Sequence, residues 1–426
     1  MITNSGFNIQ QLGVLYRIQN QTSGKPAIGK EEILVENTLK PRLHYIDWLR
    51  VLIVLSLIPL HSAIVFIVDP SNPAFIKDTA NSEFMVRMVE FLNQFNMPLM
   101  FVLAGMSSYL SLSGRTAGQY SKERIGRLLV PIVFGTIVLI PPMTYLSQLW
   151  KGEDITFWEH YARFFTQTDY GTGLDGGYTP GHLWFIMFLV IFSFLALPLF
   201  VRLKKRPPQK LVKVFSKRFT LLIPGVFLTL AAVMMTYTDM NPIVYLLYFL
   251  LGFILMSGEG CMNAVKRDWP YLLPAAVIFE VLRQILPYPP GQFSALWLLR
   301  GLMEHTNRWI MVLVLLGVGA RFLNRGGKVL SYLSEAAYPL YILHMLPNTL
   351  AAFFAVRLET YVAVKYIIIA LATFAVLFPI YELVRRLNFM RFLLGMKLIK
   401  RARGKQQTKE FGQPPDEQHH AFNKSE

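Results

Sequence analysis

Cysteine is almost missing from this chain: Cys261 is the single one in 426 residues. That excludes an intramolecular disulfide framework and a zinc site built on cysteines. Charge is scarce, at 16% of residues where soluble domains carry about 25%. Acids are scarcer than bases, 26 against 42, leaving a formal net charge of +16. There is no P-loop, no G-x-G-x-x-G behind a strand, no G-x-S-x-G and no H-E-x-x-H. The Gly-rich "GTGLDGG" at 171–177 is followed by no phosphate-type lysine and reads as a loop. The lack of a Walker motif argues against an ATP-driven pump.

What fills the space is apolar. Hydrophobic residues make up 53% and aromatics 14%, with a mean hydropathy of +0.39. The pattern predicts an all-α, polytopic integral membrane protein. About ten runs approach the length a bilayer core requires, near 46–68, 86–112, 128–149, 181–202, 219–237, 242–257, 270–286, 296–322, 331–356 and 361–384. The excess of basic residues suits cytoplasmic loops better than nucleic acid. Arg17, Lys25, Lys30, Lys40 and Arg42 precede the first run, and "RLKKRPPQKLVKVFSKR" joins the fourth to the fifth. Intervening loops are poor in bases, so the alternation places both termini in the cytoplasm and the chain in the cell inner (plasma) membrane. Residues 1–41 have no apolar h-region and read as a cytoplasmic lead-in. Residues 42–390 form the membrane domain, and 391–426 read as a basic, disordered cytoplasmic tail.

Ionisable groups inside membrane helices are costly and point to function. In "IDWLRVLIVLSLIPLHSA" (46–63), Arg50 and His61 lie about 16 Å apart along a helix and only ~20° apart around it, so they share one face. Asp47, three residues before Arg50, is placed to pair with it. Taken singly, Arg50 also fits a snorkelling residue and His61 a buried histidine that helps helices associate. Together they describe a polar face running from the cytoplasmic end towards mid-membrane. His344 falls at a similar depth in the ninth run, with Tyr338 and Tyr341 on or near its face. His182 and Trp184 open the fourth run, where an interfacial role competes with contact to a substrate. His305 receives no role.

The stretch "DWLRVLIVLSLIPLH" resembles the first-helix signature of the acyltransferase-3 family: an arginine, ten residues, then a histidine, with an aspartate three positions before the arginine. Further blocks follow in the family's order: "NMPLMFVLAGMSSYL" (96–110), "RIGRLLVP" (124–131), "GHLWFIMFLV" (181–190) and "AAYPLYILHML" (336–346). The resemblance spans about residues 42–390 and is most similar to the glucan biosynthesis protein C group. Two departures stand out. Ala104-Gly105-Met106 replaces the family's Ser-Gly-Phe, keeping the small residue but losing a hydroxyl and a ring. Ala337 stands where a serine is common.

The resemblance implies a membrane O-acyltransferase that moves an acetyl or succinyl group from cytoplasmic acyl-CoA to a hydroxyl of a cell-envelope glycan. Acyl-CoA would be a donor substrate, with no permanently bound cofactor or metal and no nucleic acid partner. Arg124 and Arg127 would bind the donor's phosphates, since guanidinium forks suit phosphate oxygens. His61 would be general base or transient acyl carrier, as a neutral imidazole near pH 7 can take either role. Arg50 and Asp47 would assist it, and His344, Tyr341, Tyr338, His182 and Trp184 would line the cavity or meet the acceptor. The competing expectation is a secondary transporter whose His and Arg residues relay protons.

Overall fold

The computed structural model describes residues 43–67, 75–167, 176–234, 240–287, 291 and 294–399. The N-terminal lead-in, most of "GTGLDGG" and the tail from 400 lie outside the described residues. Within them the fold is all-α, with no strand among the described residues. In chain order the helices are α1 (His44–Ile64), α2 (Glu83–Asn93), α3 (Asn96–Ser113) and α4 (Ala117–Trp150). Then come α5 (Phe157–Thr166), α6 (Trp184–Leu195), α7 (Leu197–Lys205), α8 (Gln209–Phe215) and α9 (Ile223–Met234). The rest are α10 (Pro242–Met256), α11 (Glu259–Ile285), α12 (Ala295–Phe322), α13 (Lys328–Leu343), α14 (Met345–Ala355), α15 (Val362–Val384) and α16 (Asn388–Leu393).

A polytopic membrane architecture follows from the helices' length and apolarity, and among the described residues the expected count of about ten spans is not confirmed. Four described helices are long and apolar enough to cross a bilayer: α1, the α2–α3 run, α4 and α15. Three bent pairs raise the number to seven if each is one span: α6 with α7 (52°), α8 with the Thr220–Ala232 stretch (111°), and α10 with α11 (105°). The expected eighth run is one 28-residue helix, α12, but Arg300, Glu304 and Arg308 interrupt its first half. The expected ninth run is broken at His344 into α13 and α14. Large apolar side chains on α15, among them Ile367, Leu371 and Leu383, are exposed, as a lipid-facing helix requires.

The α1 helix is the hub. It packs against α2, α3, α12, α13, α14 and α15, which buries Val51, Ile53, Val54, Leu57 and Ile58. The tightest neighbours elsewhere are α3 and α10. A Cβ at Gly105 would overlap the backbone carbonyl of Phe249, and one at Gly252 the carbonyl of Val102. Reciprocal small residues let two membrane helices approach to backbone contact, so the glycine kept in the Ala104-Gly105-Met106 departure has a packing reason. Residues 391–399, assigned above to the tail, include the end of α16. Arg391 there is buried, donating to Glu335 at 2.8 Å and to the carbonyls of Arg385 and Lys397.

Candidate active site

The predicted residues separate into two levels along α1. At its first turns, Arg50 pairs with Asp47 (Nη1 to Oδ1, 3.3 Å) and donates through Nη2 to Ser107 Oγ at 2.9 Å. The adjacent Ser108 accepts from Arg124 Nη2 and from the Tyr120 hydroxyl, each at 3.0 Å. The Arg124 guanidinium also lies over the Tyr120 ring, 4.8 Å from its centroid. Arg50 is close enough to Arg124 and Arg127 for the three like charges to repel. Two guanidinium groups that converge on a serine pair, of which Arg50 is also paired with Asp47, favour an anion, phosphate above all.

The local sequence explains how this level is built. The α4 helix contains two π-helical turns, Ile125–Leu129 and Gly135–Leu139. Pro131 has no N–H to offer the carbonyl four residues back. That carbonyl, on Arg127, instead accepts from the Tyr338 hydroxyl at 2.8 Å. The Arg127 side chain turns outward to Glu123 (3.1 Å) and to the Gly395 carbonyl (3.4 Å). Tyr338 therefore belongs with the arginines and not with His344.

The second level lies at the other end of α1. The helix stops at Ile64, so His61 occupies its last turn. There its ring meets that of His344, 5.2 Å between centroids, and His344 in turn meets His182 edge-on, also at 5.2 Å. Three histidines from three distant sequence blocks thus form one cluster. The break between α13 and α14 creates it. Pro347 lacks the N–H that would reach the Leu343 carbonyl, and carbonyls in the last turn of a helix are open to side-chain donors. The Tyr341 carbonyl accepts from His344 Nδ1 at 2.7 Å, and the Ile342 carbonyl accepts from His182 Nε2 at 2.9 Å. The Tyr341 hydroxyl donates back to the His182 carbonyl.

Because carbonyls only accept, these bonds set both tautomers: the proton sits on Nδ1 of His344 and on Nε2 of His182. The opposite nitrogens, His344 Nε2 and His182 Nδ1, are buried and have no hydrogen-bond partner among the described residues. Two bare imine nitrogens beside His61 make the cluster rich in acceptors, suited to receiving hydroxyl or N–H hydrogen bonds. Among the described residues, no group of three or more His, Cys, Asp or Glu is placed to hold a metal ion. Trp184 stands apart from the imidazoles, packed against Phe101, Phe188 and Tyr245.

Several polar residues at the site went unread in the sequence. Ser107 and Ser108 receive Arg50 and Arg124; the pair "SS" in a membrane helix beside an arginine block was the available signal. Asn348 donates to Ser62 (2.8 Å) and Thr373 (3.3 Å), tying α14 to α1 and α15 directly beside the histidines. His305 lies beside Glu304 and Arg308, which form an ion pair with each other. The same region carries a buried ionic group, in which Arg283 pairs with Glu280 at 2.8 Å and Glu90 at 3.2 Å.

An arginine-lined level and a histidine cluster on a single polytopic hub define a membrane acyltransferase when set beside known proteins. Residues 43–382 match the model of the acyltransferase-3 family, an acyltransferase domain, and the chain belongs to that family. Its relatives include the glucans biosynthesis protein C of Escherichia coli O6:K15:H31 (strain 536 / UPEC), 22% identical over 397 residues, covering 85% of this chain and 97% of the relative. That of Salmonella typhi is 22% identical over 387 residues, covering 84% and 95%. No solved structure matches the chain.

Proposed function

We propose that the protein transfers an acyl group, acetyl or succinyl, from acyl-CoA to a hydroxyl of a cell-envelope glycan, an acyltransferase reaction on groups other than aminoacyl. It acts as a multi-pass protein of the cell inner membrane with both termini cytoplasmic. Acyl-CoA is a passing substrate rather than a bound cofactor. The glycan acceptor is carried over from relatives named for glucan biosynthesis.

One observation carries the reading. Arg50 and His61 occupy the two ends of α1, with Arg124 and Arg127 gathered at the first level and His344 and His182 at the second. The separation, about 16 Å, suits a donor with anionic phosphates at one end and a thioester at the end of a long, thin pantetheine arm. His61 takes the proton of the acceptor hydroxyl. The oxygen attacks the thioester carbonyl, the carbon–sulfur bond breaks, and the departing thiolate recovers the proton from His61. Arg50, oriented by Asp47 and Ser107, holds donor phosphate.

The experiment is transfer from radiolabelled acetyl- or succinyl-CoA to a glucan acceptor by the purified full chain. Labelled glycan that depends on the protein supports the reading. No label across a broad panel of donors and acceptors overturns it.

A further inference from the structure

We infer that His344 is a positioning residue for His61: its Nε2 accepts the N–H of the His61 ring, which leaves the other His61 nitrogen bare towards the hydroxyl to be acylated. The inference rests on the acyl-transfer reading above.

Three observations support it. First, the two rings are neighbours, 5.2 Å between centroids with planes inclined at 37°. The bond itself is not formed in this structure, but at that separation a small ring rotation suffices to bring a His61 N–H onto His344 Nε2. Second, His344 can only accept on the side left to it. Its Nδ1 proton is committed to the Tyr341 carbonyl at 2.7 Å, and its Nε2 is buried without a partner. An orphaned buried acceptor is costly, and such atoms in native structures call for an explanation. Third, His61 makes no side-chain hydrogen bond of its own among the described residues, so nothing else there selects its tautomer. Catalytic hydrogen bonds are often loose without substrate and tighten in the reacting complex.

The bond pattern also says what His344 does not do. A proton arriving at its Nε2 has no onward route, because Nδ1 donates to a carbonyl, which cannot be protonated. His344 therefore ends the chain. It orients His61 and stabilises the imidazolium that forms when the acceptor proton arrives, as a carboxylate does for histidine in hydrolytic triads. His182 contacts His344 edge-on, and its own N–H is spent on Ile342. It braces the cluster from the far side.

The test compares His344→Leu, which removes the acceptor nitrogen, with His344→Gln, which keeps an acceptor oxygen, in the full chain in detergent. Loss of the outer partner that orients a metal-bound histidine costs about 10-fold to 100-fold, and a factor of that order is expected for His61. The expected result is a kcat lower by about that factor in His344→Leu, partial recovery in His344→Gln, and a KM for acyl-CoA within about twofold of wild type. A second readout needs no turnover: carbethoxylation of His61 by diethyl pyrocarbonate, followed by mass spectrometry of its peptide. It should slow in His344→Leu and recover in part in His344→Gln. Unchanged kcat and unchanged His61 labelling in a folded variant overturn the inference while leaving acyl transfer intact. If the wild type transfers nothing, the acyl-transfer reading falls, and the labelling rate still decides the role of His344. Should His344→Leu fail to fold, the Gln variant carries both readouts.

Discussion

The imidazoles of His61 and His344 stand 5.2 Å apart between centroids although they come from opposite ends of the membrane domain. The pair exists only when α1 is docked on the α13–α14 break. The Asn348–Ser62 hydrogen bond, 2.8 Å and fully buried, fastens that joint one residue from His61 and one helical turn from His344. Site assembly and helix packing are thus the same event here.

Arg124 and Arg127 should not contribute equally to donor binding. Arg124 turns inward to Ser108 and Tyr120, on the same hydroxyl pair that receives Arg50. The Arg127 side chain is half-exposed and already paired with Glu123. Arg124→Ala is expected to raise the KM for acyl-CoA by about 10-fold or more, the loss of one charge-assisted bond. Arg127→Ala should raise it by less. Steady-state kinetics over a range of acyl-CoA concentrations checks this; equal effects, or none, remove Arg124 from the donor level.

Gly105 and Gly252 should tolerate no side chain. Each sits where α3 and α10 touch through backbone, so a methyl group forces the helices apart. Overpacking of this kind costs about 1–3 kcal/mol. Gly105→Ala and Gly252→Ala are each expected to lower the midpoint of thermal unfolding in detergent. An unchanged midpoint in both would show that the helices separate without cost.

The buried pair between Lys365 and Asp78 supplies a third prediction. Nζ and Oδ2 are 2.7 Å apart, and both side chains are buried where the chain leaving α1 meets α15. Removing one partner of such a pair strands the other charge, at about 3–5 kcal/mol. Lys365→Met should therefore be strongly destabilised, and adding Asp78→Asn should restore much of the loss. A double-mutant cycle in thermal stability measures it; additive losses would contradict the coupling.

Much of this was legible in the chain itself. The Arg50-to-His61 spacing needs only helical geometry. The all-α membrane class needs only the apolar runs. The number of spans was less legible, because bends at Ala196, near Ser257 and at His344 depend on packing that no run of residues displays. His182 was hardest to read. In the sequence it stands beside Trp184 like an interfacial residue, and only its bond to the Ile342 carbonyl explains why it is buried beside His344. Tyr338 and Tyr341 look equivalent by spacing, yet Pro131 in α4 leaves the Arg127 carbonyl to Tyr338 and draws it to the arginine level. Such pairings join segments 160 or more residues apart, where periodicity carries no information.

The most direct test of the account is label transfer by His61→Ala and His61→Gln beside wild type, each shown to be folded by its elution profile and thermal midpoint. Removing the general base should reduce transfer by about 10²-fold to 10⁴-fold while leaving acyl-CoA binding in place, since the arginine level is untouched. Transfer at the wild-type rate by a folded His61→Ala would contradict the account at its centre.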